Sequence, residues 1–395
     1  MNDHTGKVLI MNTGNKNRKT KMTKTVKTAK SAKIADSAIE RNYTPERIVQ
    51  PLLDWYDKNR RSLPWREDPS PYHVWISEIM LQQTRVEAVR EYYRRFLAEL
   101  PDIAALAEVG EEKLLKLWEG LGYYNRARNL KKSAILIMEQ YDGIMPDTYE
   151  ELLKLPGIGS YTAGAIASIA FGRDVPAVDG NVLRVITRVE ADSSDITDEK
   201  VKKRIAEELT GILPKGKSGN FNQALMDLGA MVCLPNGAPK CELCPWQEFC
   251  MARIEERIDR IPYKTPKKQR TLEKKTVLVI HLNGSILLHK RPAKGLLAGM
   301  YELPSMKEHC GPEEVLDYVR ELGFGPIHIE TLPPSRHVFT HKEWLMNAYL
   351  IKADELSEME NITGRDRNWK MVSPEMTRKH YPIPSAFAAY EQYIR

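Results

Sequence analysis

The chain has 395 residues, 42% of them hydrophobic and 28% charged, a balance that suits two or three folded domains and excludes a wholly disordered protein. No run of about 18 apolar residues occurs, which excludes a transmembrane helix, and no apolar stretch near the N-terminus suits a secretory signal. The net charge of +6 is local: residues 1–35 hold nine Lys/Arg against Asp3, which leaves −2 over the other 360 residues.

Residues 1–43 read as a basic tail, expected to be disordered because its first 35 residues are rich in Lys and Thr and lack aromatics. Such a tail suits weak electrostatic attraction to DNA or mere solubilisation, and its composition does not separate the two. From Pro45 to Arg257 the pattern is helical. In the run 71–100, Ile76, Ile79, Met80, Val86, Val89, Tyr93 and Phe96 recur at helical spacing. Within this run Glu78 is flanked by Val74, Trp75 and Leu81. A carboxyl in that setting is desolvated and its pKa raised; the bland reading is a buried ion-pair partner.

Further along, Leu155-Pro-Gly-Ile-Gly-Ser-Tyr-Thr-Ala-Gly-Ala places a tight turn before a helix of small residues. Gly157 and Gly159 let a ligand approach the backbone, and the N–H groups of the new helix suit a phosphate. The same pattern also fits an ordinary turn between helices. Asp179 precedes Gly-Asn-Val-Leu-Arg-Val and reads as a helix N-cap, a position that favours the ionised carboxylate. One carboxyl kept neutral and one kept charged is the division between an acid and an anionic stabiliser, although capping alone also accounts for Asp179.

Five cysteines are too few for a disulfide scaffold. Four of them form Cys233-x7-Cys241-x2-Cys244-x5-Cys250, a cluster that points to metal chemistry in a reducing compartment. The spacing by itself leaves an iron–sulfur cluster and a four-cysteine zinc site both open; Cys310 stands apart as a plain thiol. Residues 258–275, with Pro262, Pro266 and seven Lys/Arg, read as a linker. Beyond it, Thr276–Leu282, Asn283-Gly284 and Ile286–Lys290 predict a β-hairpin. A helix over Glu313–Leu322 and strands near Ile327–Glu330 and Trp344–Ile351 complete an α+β domain over 276–395.

Taken together, Leu63-Pro-Trp-Arg, Val74-Trp-Ile-Ser-Glu-Ile-Met-Leu-Gln-Gln-Thr, Gly120-Leu-Gly-Tyr-Tyr, Leu155-Pro-Gly-Ile-Gly, Val178-Asp-Gly-Asn-Val and Phe221-Asn-Gln-Ala-Leu-Met-Asp resemble the adenine DNA glycosylases that remove adenine mispaired with 8-oxoguanine, a branch of the endonuclease III superfamily. The resemblance covers about residues 44–391. It implies a mainly α glycosylase region over 44–257, with a helix-hairpin-helix, a six-helix barrel and a [4Fe–4S] domain, followed by a Nudix-like domain. The four cysteines become the cluster ligands, with one residue more than the family's usual six between the first two.

The resemblance also makes Glu78 the acid that protonates adenine and Asp179 the stabiliser of the sugar cation, with Tyr161 and Asn181 organising the site. It assigns Arg66, Leu81, Gln83, Tyr123, Gly157, Gly159 and Gln223 to DNA or the substrate, Tyr123 beside 8-oxoguanine and Gln83 in the stack. Phe339-Thr340-His341 stands where the family has Phe-Ser-His, a loop that reads 8-oxoguanine. Gly295-Leu-Leu-Ala-Gly-Met-Tyr-Glu-Leu-Pro carries the Nudix likeness, but the helix Glu313–Leu322 lacks the paired glutamates of a working Nudix enzyme, so recognition rather than hydrolysis is expected. Tyr161 occupies the position where bifunctional relatives have the Schiff-base lysine, so a monofunctional enzyme is expected. The expected partner is duplex DNA bearing the lesion pair. The expected setting is intracellular (cytoplasm or nucleoid in a bacterium), with no membrane association and a monomeric state. A DNA-binding protein without catalysis and a Nudix pyrophosphatase are the competing readings.

Overall fold

The computed structural model describes residues 43–266, 269–355 and 362–394; the Lys-rich tail up to Asn42 lies outside the described residues. The longer helices are α1 (Val49–Asn59), α2 (Pro71–Leu81), α3 (Val86–Glu99), α4 (Asn125–Gln140), α5 (Ser160–Ile169), α6 (Gly180–Glu190), α7 (Glu199–Ile212), α8 (Ser218–Met231) and α9 (Pro312–Glu321). Tyr43, read as the end of the tail, belongs to the folded part: its hydroxyl donates to Glu190 at 3.2 Å. Among the described residues no helix is long and apolar enough to cross a membrane.

Two helices set the geometry of the site. α2 starts with Pro71 at its first position, and the Ser70 hydroxyl accepts from the His73 amide at 3.4 Å. Tyr72 and every residue from Val74 to Met80 are buried, so this helix runs through the interior rather than along the surface. The helical pattern read over 71–100 is interrupted: α2 ends at Leu81 and α3 begins at Val86. Between them Gln83 takes a left-handed backbone at φ 58°, which a helix cannot contain, and no Gly or Pro marks the break. α6 is capped by Asp179 and ends at Ala191, at φ 55°.

α5 approaches the segment leading to Asp179 so closely that only glycine fits at position 164. A Cβ built there lies 2.1 Å from the Pro176 carbonyl oxygen. α8 meets α6 in the same way, because a Cβ on Gly229 would lie 2.7 Å from Asn181 Cβ. In the turn before α5, Gly157 has φ 80° and packs over Asn129 of α4, while Ser133 donates to the Pro156 carbonyl at 2.8 Å.

The C-terminal sheet has the order β3-β2-β1-β6-β5, with β4 also on β1 and β7 also on β2. Its strands are β1 (Thr271–Leu282), β2 (Ser285–Lys290), β3 (Tyr301–Glu302), β4 (Ser305–Lys307), β5 (Phe324–Val338), β6 (Lys342–Glu355) and β7 (Trp369–Val372). The predicted hairpin forms, with Leu282 opposite Ser285 and left-handed backbone at Asn283 and Gly284. β1 pairs in parallel with β6 from Thr271 onward, inside the stretch read as linker. The other end of that stretch is held as well: Ile261 is buried, and its carbonyl accepts from Arg188 at 2.7 Å. Cross-strand pairing and burial reclaim residues whose Lys/Arg and Pro content alone reads as loop.

The helices and the sheet share contacts. Met300 is buried in the helical core. Glu112 accepts from Lys290 at 2.6 Å and Tyr301 at 2.8 Å, and Lys116 donates to the carbonyls of Thr377 at 3.1 Å and Tyr381 at 3.3 Å. Gly164→Ala should cost about 3 kcal/mol or more, because the clash is with backbone that cannot move away. Urea unfolding checks this: the midpoint should fall with little change in slope, and an unshifted midpoint would contradict the packing.

Candidate active site

α2, α5, α6 and α8 enclose a cleft of about 560 Å³ lined by Glu78, Leu81, Gln83, Gly159, Tyr161, Asp179, Asn181, Gln223, Met226 and Arg66. Position 78 lies on the interior helix, so its carboxyl is buried, with the residue only 5% exposed. The Tyr161 hydroxyl donates to Glu78 Oε2 at 2.5 Å and sits 3.6 Å from Met226 Sδ. Burial pushes Glu78 up to about 7; the Tyr161 hydrogen bond and the Arg66 charge pull it down, and Asp179 pushes it further up. Burial also drives the Tyr161 phenol well above its ordinary range.

Asp179 is the α6 N-cap, as the sequence predicts. Its Oδ1 accepts from the amides of Asn181 at 2.9 Å and Val182 at 2.8 Å, and its Oδ2 from the Asn181 side chain at 2.8 Å. The expectation that this position holds its pKa low needs correction. Burial raises the Asp179 pKa above the usual aspartate range, against the pull of those three hydrogen bonds and of Arg184. Both carboxyls are therefore shifted upward by desolvation.

Behind Asp179 a polar chain continues. Asn181 Oδ1 accepts from Arg184 at 2.9 Å, and Arg184 donates to the carbonyls of Cys233 at 2.9 Å and Gly229 at 2.8 Å. Beside Glu78, Arg66 grips Asp227 with two bonds of 2.8 and 3.0 Å, and Arg61 Nε adds a third at 2.8 Å. The Asp227 side chain is fully buried. Burial would lower the Arg66 pKa, but the Asp227 contact outweighs it and holds the pKa above the usual value. Sequence reasoning missed Arg61 and Asp227: they lie 166 residues apart, and nothing local signals the pair.

A second cleft of about 870 Å³ lies between the helices and the sheet, lined by Gln83, Tyr123, Arg126, Arg270, Phe339, Thr340 and His341 among others. Gln83 lines both clefts. Tyr123 is 49% exposed, has φ 48°, and its hydroxyl lies 3.2 Å from Thr340 Oγ1. Phe339 packs edge-on against Trp344 with ring centroids 4.8 Å apart. Its amide bonds the Lys342 carbonyl at 2.9 Å, which makes a tight turn that presents Thr340 and His341 to solvent.

Cys233, Cys241, Cys244 and Cys250 line one cavity with Val185, Leu228 and Trp246, and no disulfide joins them. Arg188 donates to Cys233 Sγ at 3.3 Å. Burial pushes Cys244 up to about 12 and Cys250 to about 11. Among the described residues no three Cys, His, Asp or Glu side chains close around a single metal-ion position. In kind, four free thiols facing one apolar cavity fit a thiolate-bound centre, whose positive charge would be needed to ionise them.

Comparison with known proteins agrees with this architecture. Residues 76–210 match the family described as HhH-GPD superfamily base excision DNA repair protein, and residues 276–392 match the NUDIX domain. A solved thermostable thymine-DNA glycosylase superposes with a TM-score of 0.50 at 30% identity, covering 53% of this chain and 97% of that one. Fold and cleft thus define a DNA glycosylase of the helix-hairpin-helix class. An adenine DNA glycosylase of Buchnera aphidicola (subspecies Acyrthosiphon pisum) is 36% identical over 346 residues, 87% of this chain and 98% of its own. One from Mus musculus is 35% identical, over 77% of this chain and 70% of its own. The chain belongs to the adenine DNA glycosylase family.

Glu78 also leaves a signature in stability. Folded, it keeps its proton up to about 7, whereas an ordinary glutamate ionises near 4.5. The stability this provides is complete below about 4.5 and is lost as pH rises through about 7. Glu78→Gln should therefore gain on the parent protein across that window. Melting temperatures of both proteins at pH 5 and pH 8 check it, and a gap that does not widen with pH would contradict the burial.

Proposed function

We propose that the chain hydrolyses the N-glycosidic bond of adenine paired with 8-oxoguanine, or with guanine, in duplex DNA, without a strand-cleaving lyase step. The observation that carries this reading is the pair of carboxyls, the buried Glu78 and the half-buried Asp179, on one cleft. The adenine must leave the stack to reach them. A Glu78 carboxyl balanced near neutral pH is suited to deliver a proton to adenine N7 and make the base a leaving group.

Asp179, ionised and held by two backbone amides and Asn181, then stabilises the cationic sugar electrostatically or by a transient bond. Tyr161 positions the Glu78 proton and offers no amine for a Schiff base. Arg66 lends positive charge beside Glu78, and Leu81 and Gln223 wall the cleft.

Gln83 enters the opened stack and Tyr123 lies beside 8-oxoguanine. Phe339, Thr340 and His341 read that lesion, with the Tyr123–Thr340 contact tying the two regions together. Gly157 and Gly159 bring the backbone of the hairpin turn to a DNA phosphate. On α9, Glu314 caps the Gly311 amide and Asp317 pairs with Arg320, so these carboxylates are engaged within their own helix, which supports a recognition role for the Nudix-like domain. We assign Cys233, Cys241, Cys244 and Cys250 to a [4Fe–4S] cluster, which when bound cross-links the loop between Cys233 and Cys250. The enzyme acts as an intracellular monomer, with a glycosylase region that starts at Tyr43 and a Nudix-like domain whose sheet starts at Thr271.

The test is single-turnover adenine release from a duplex with one adenine–8-oxoguanine pair, beside adenine–thymine and 8-oxoguanine–cytosine duplexes. Release confined to the lesion pair, breaks only after alkali, and a loss of about 10²–10⁴-fold in Glu78→Gln are expected. A borohydride-trapped adduct formed at the rate of base release would contradict the monofunctional assignment. No release from cluster-loaded protein would leave a binding-only protein.

A further inference from the structure

Arg126, the second residue of α4, holds together two loops that are distant in sequence. Its Nη1 donates to the carbonyls of Ile79 at 2.7 Å, Met80 at 2.9 Å and Gln82 at 2.8 Å. Its Nη2 donates to the carbonyls of Leu121 at 3.1 Å and Gly122 at 3.0 Å, and to Thr84 Oγ1 at 3.3 Å. The guanidinium also lies 5.7 Å from the centroid of the Tyr123 ring and 5.3 Å from that of Trp118. Among the described residues no carboxylate forms an ion pair with it. Burial lowers its pKa to about 10, so it is still charged at neutral pH.

One set of acceptors brackets Gln83 and the other immediately precedes Tyr123; both residues have left-handed backbone and line the same cleft. Left-handed conformations at non-glycine residues persist only where the surroundings impose them. Carbonyl dipoles converging on one point repel each other unless a cation sits among them, and a planar fork with several donors can serve two sets at once. The ammonium of a lysine is a point charge and can satisfy one set.

We propose that Arg126 is a positioning residue that locks the Gln83 and Tyr123 loops into one rigid wedge, fixing where the residue entering the stack stands relative to the residue beside the lesion. The inference rests on the proposed activity on duplex DNA. Loss of the clamp slows extrusion of the base and leaves the chemistry at Glu78 and Asp179 intact.

The experiment uses full-length, cluster-loaded protein with Arg126→Met and Arg126→Lys, with melting temperature as the control for folding. Two substrates are compared in single turnover: adenine opposite 8-oxoguanine, and adenine opposite an abasic site, which needs no partner displaced. Arg126→Met is expected to lose at least about tenfold on the first and less than about threefold on the second, with Arg126→Lys between parent and Met. If Arg126→Met does not fold, Arg126→Lys carries the same comparison.

A second readout is free of catalysis. In a Glu78→Gln background, 2-aminopurine beside the target adenine brightens as the stack opens, and the Arg126 variants should reduce that brightening. Equal losses on both substrates, or unchanged brightening, would overturn the clamp. If the parent releases adenine from neither substrate, the proposed activity fails, and the fluorescence alone still decides the clamp.

Discussion

The desolvation of a single carboxyl organises the helical region. Glu78 sits in the middle of a helix whose neighbours on both sides are buried, and a charge there is costly unless it is neutralised or partnered. Among the described residues, Glu78 has one close donor, the Tyr161 hydroxyl, and one nearby positive charge, Arg66, largely committed to Asp227. The result is a carboxyl poised between its two protonation states near neutral pH, a condition a general acid needs and a structural glutamate does not. Other features of the cleft follow from keeping this group dry yet reachable: an interior α2, a close α5, and an opening lined by Leu81, Gln83 and Gln223.

The second carboxyl is placed by different means. Asp179 is fixed by the start of α6, where the segment leading to it packs on Gly164 and α6 itself packs on Gly229, contacts that no larger residue permits. Its hydrogen bonds run on through Asn181 and Arg184 to the carbonyl of Cys233. The cysteine loop and the cleft are thus joined by a continuous set of polar contacts, so ordering that loop and orienting Asp179 are one structural problem. The two carboxyls reach one cleft from separate elements, so each can be tuned by its own surroundings.

Much of the site was legible in the sequence because its signals are local. Apolar residues on either side announce the burial of Glu78, and Asp-Gly-Asn announces a capped helix. The Asn-Gly hairpin was legible for the same reason. What escaped is non-local. The Arg61–Arg66–Asp227 cluster joins α8 to residues some 160 positions earlier. The break at Gln82–Thr84 carries no Gly or Pro, because a side chain from position 126 imposes it from outside. The direction of the Asp179 shift escaped too: capping is visible in sequence, whereas the depth of burial that outweighs it is a property of the packed core. β1 begins earlier than its composition suggests because it pairs with β6, some 70 residues away.

The central claim, a Glu78 carboxyl held near neutrality by burial against Tyr161, is tested most directly by its own titration. Carbon-13 NMR of protein labelled at the glutamate side-chain carboxyl, with the signal assigned by its loss in Glu78→Gln, reads that equilibrium without reference to any substrate. The Glu78 signal should titrate with a midpoint near 7, moving higher still in Tyr161→Phe, where the hydrogen bond that lowers it is gone. A Glu78 signal that titrates in the ordinary glutamate range near 4.5 would contradict it.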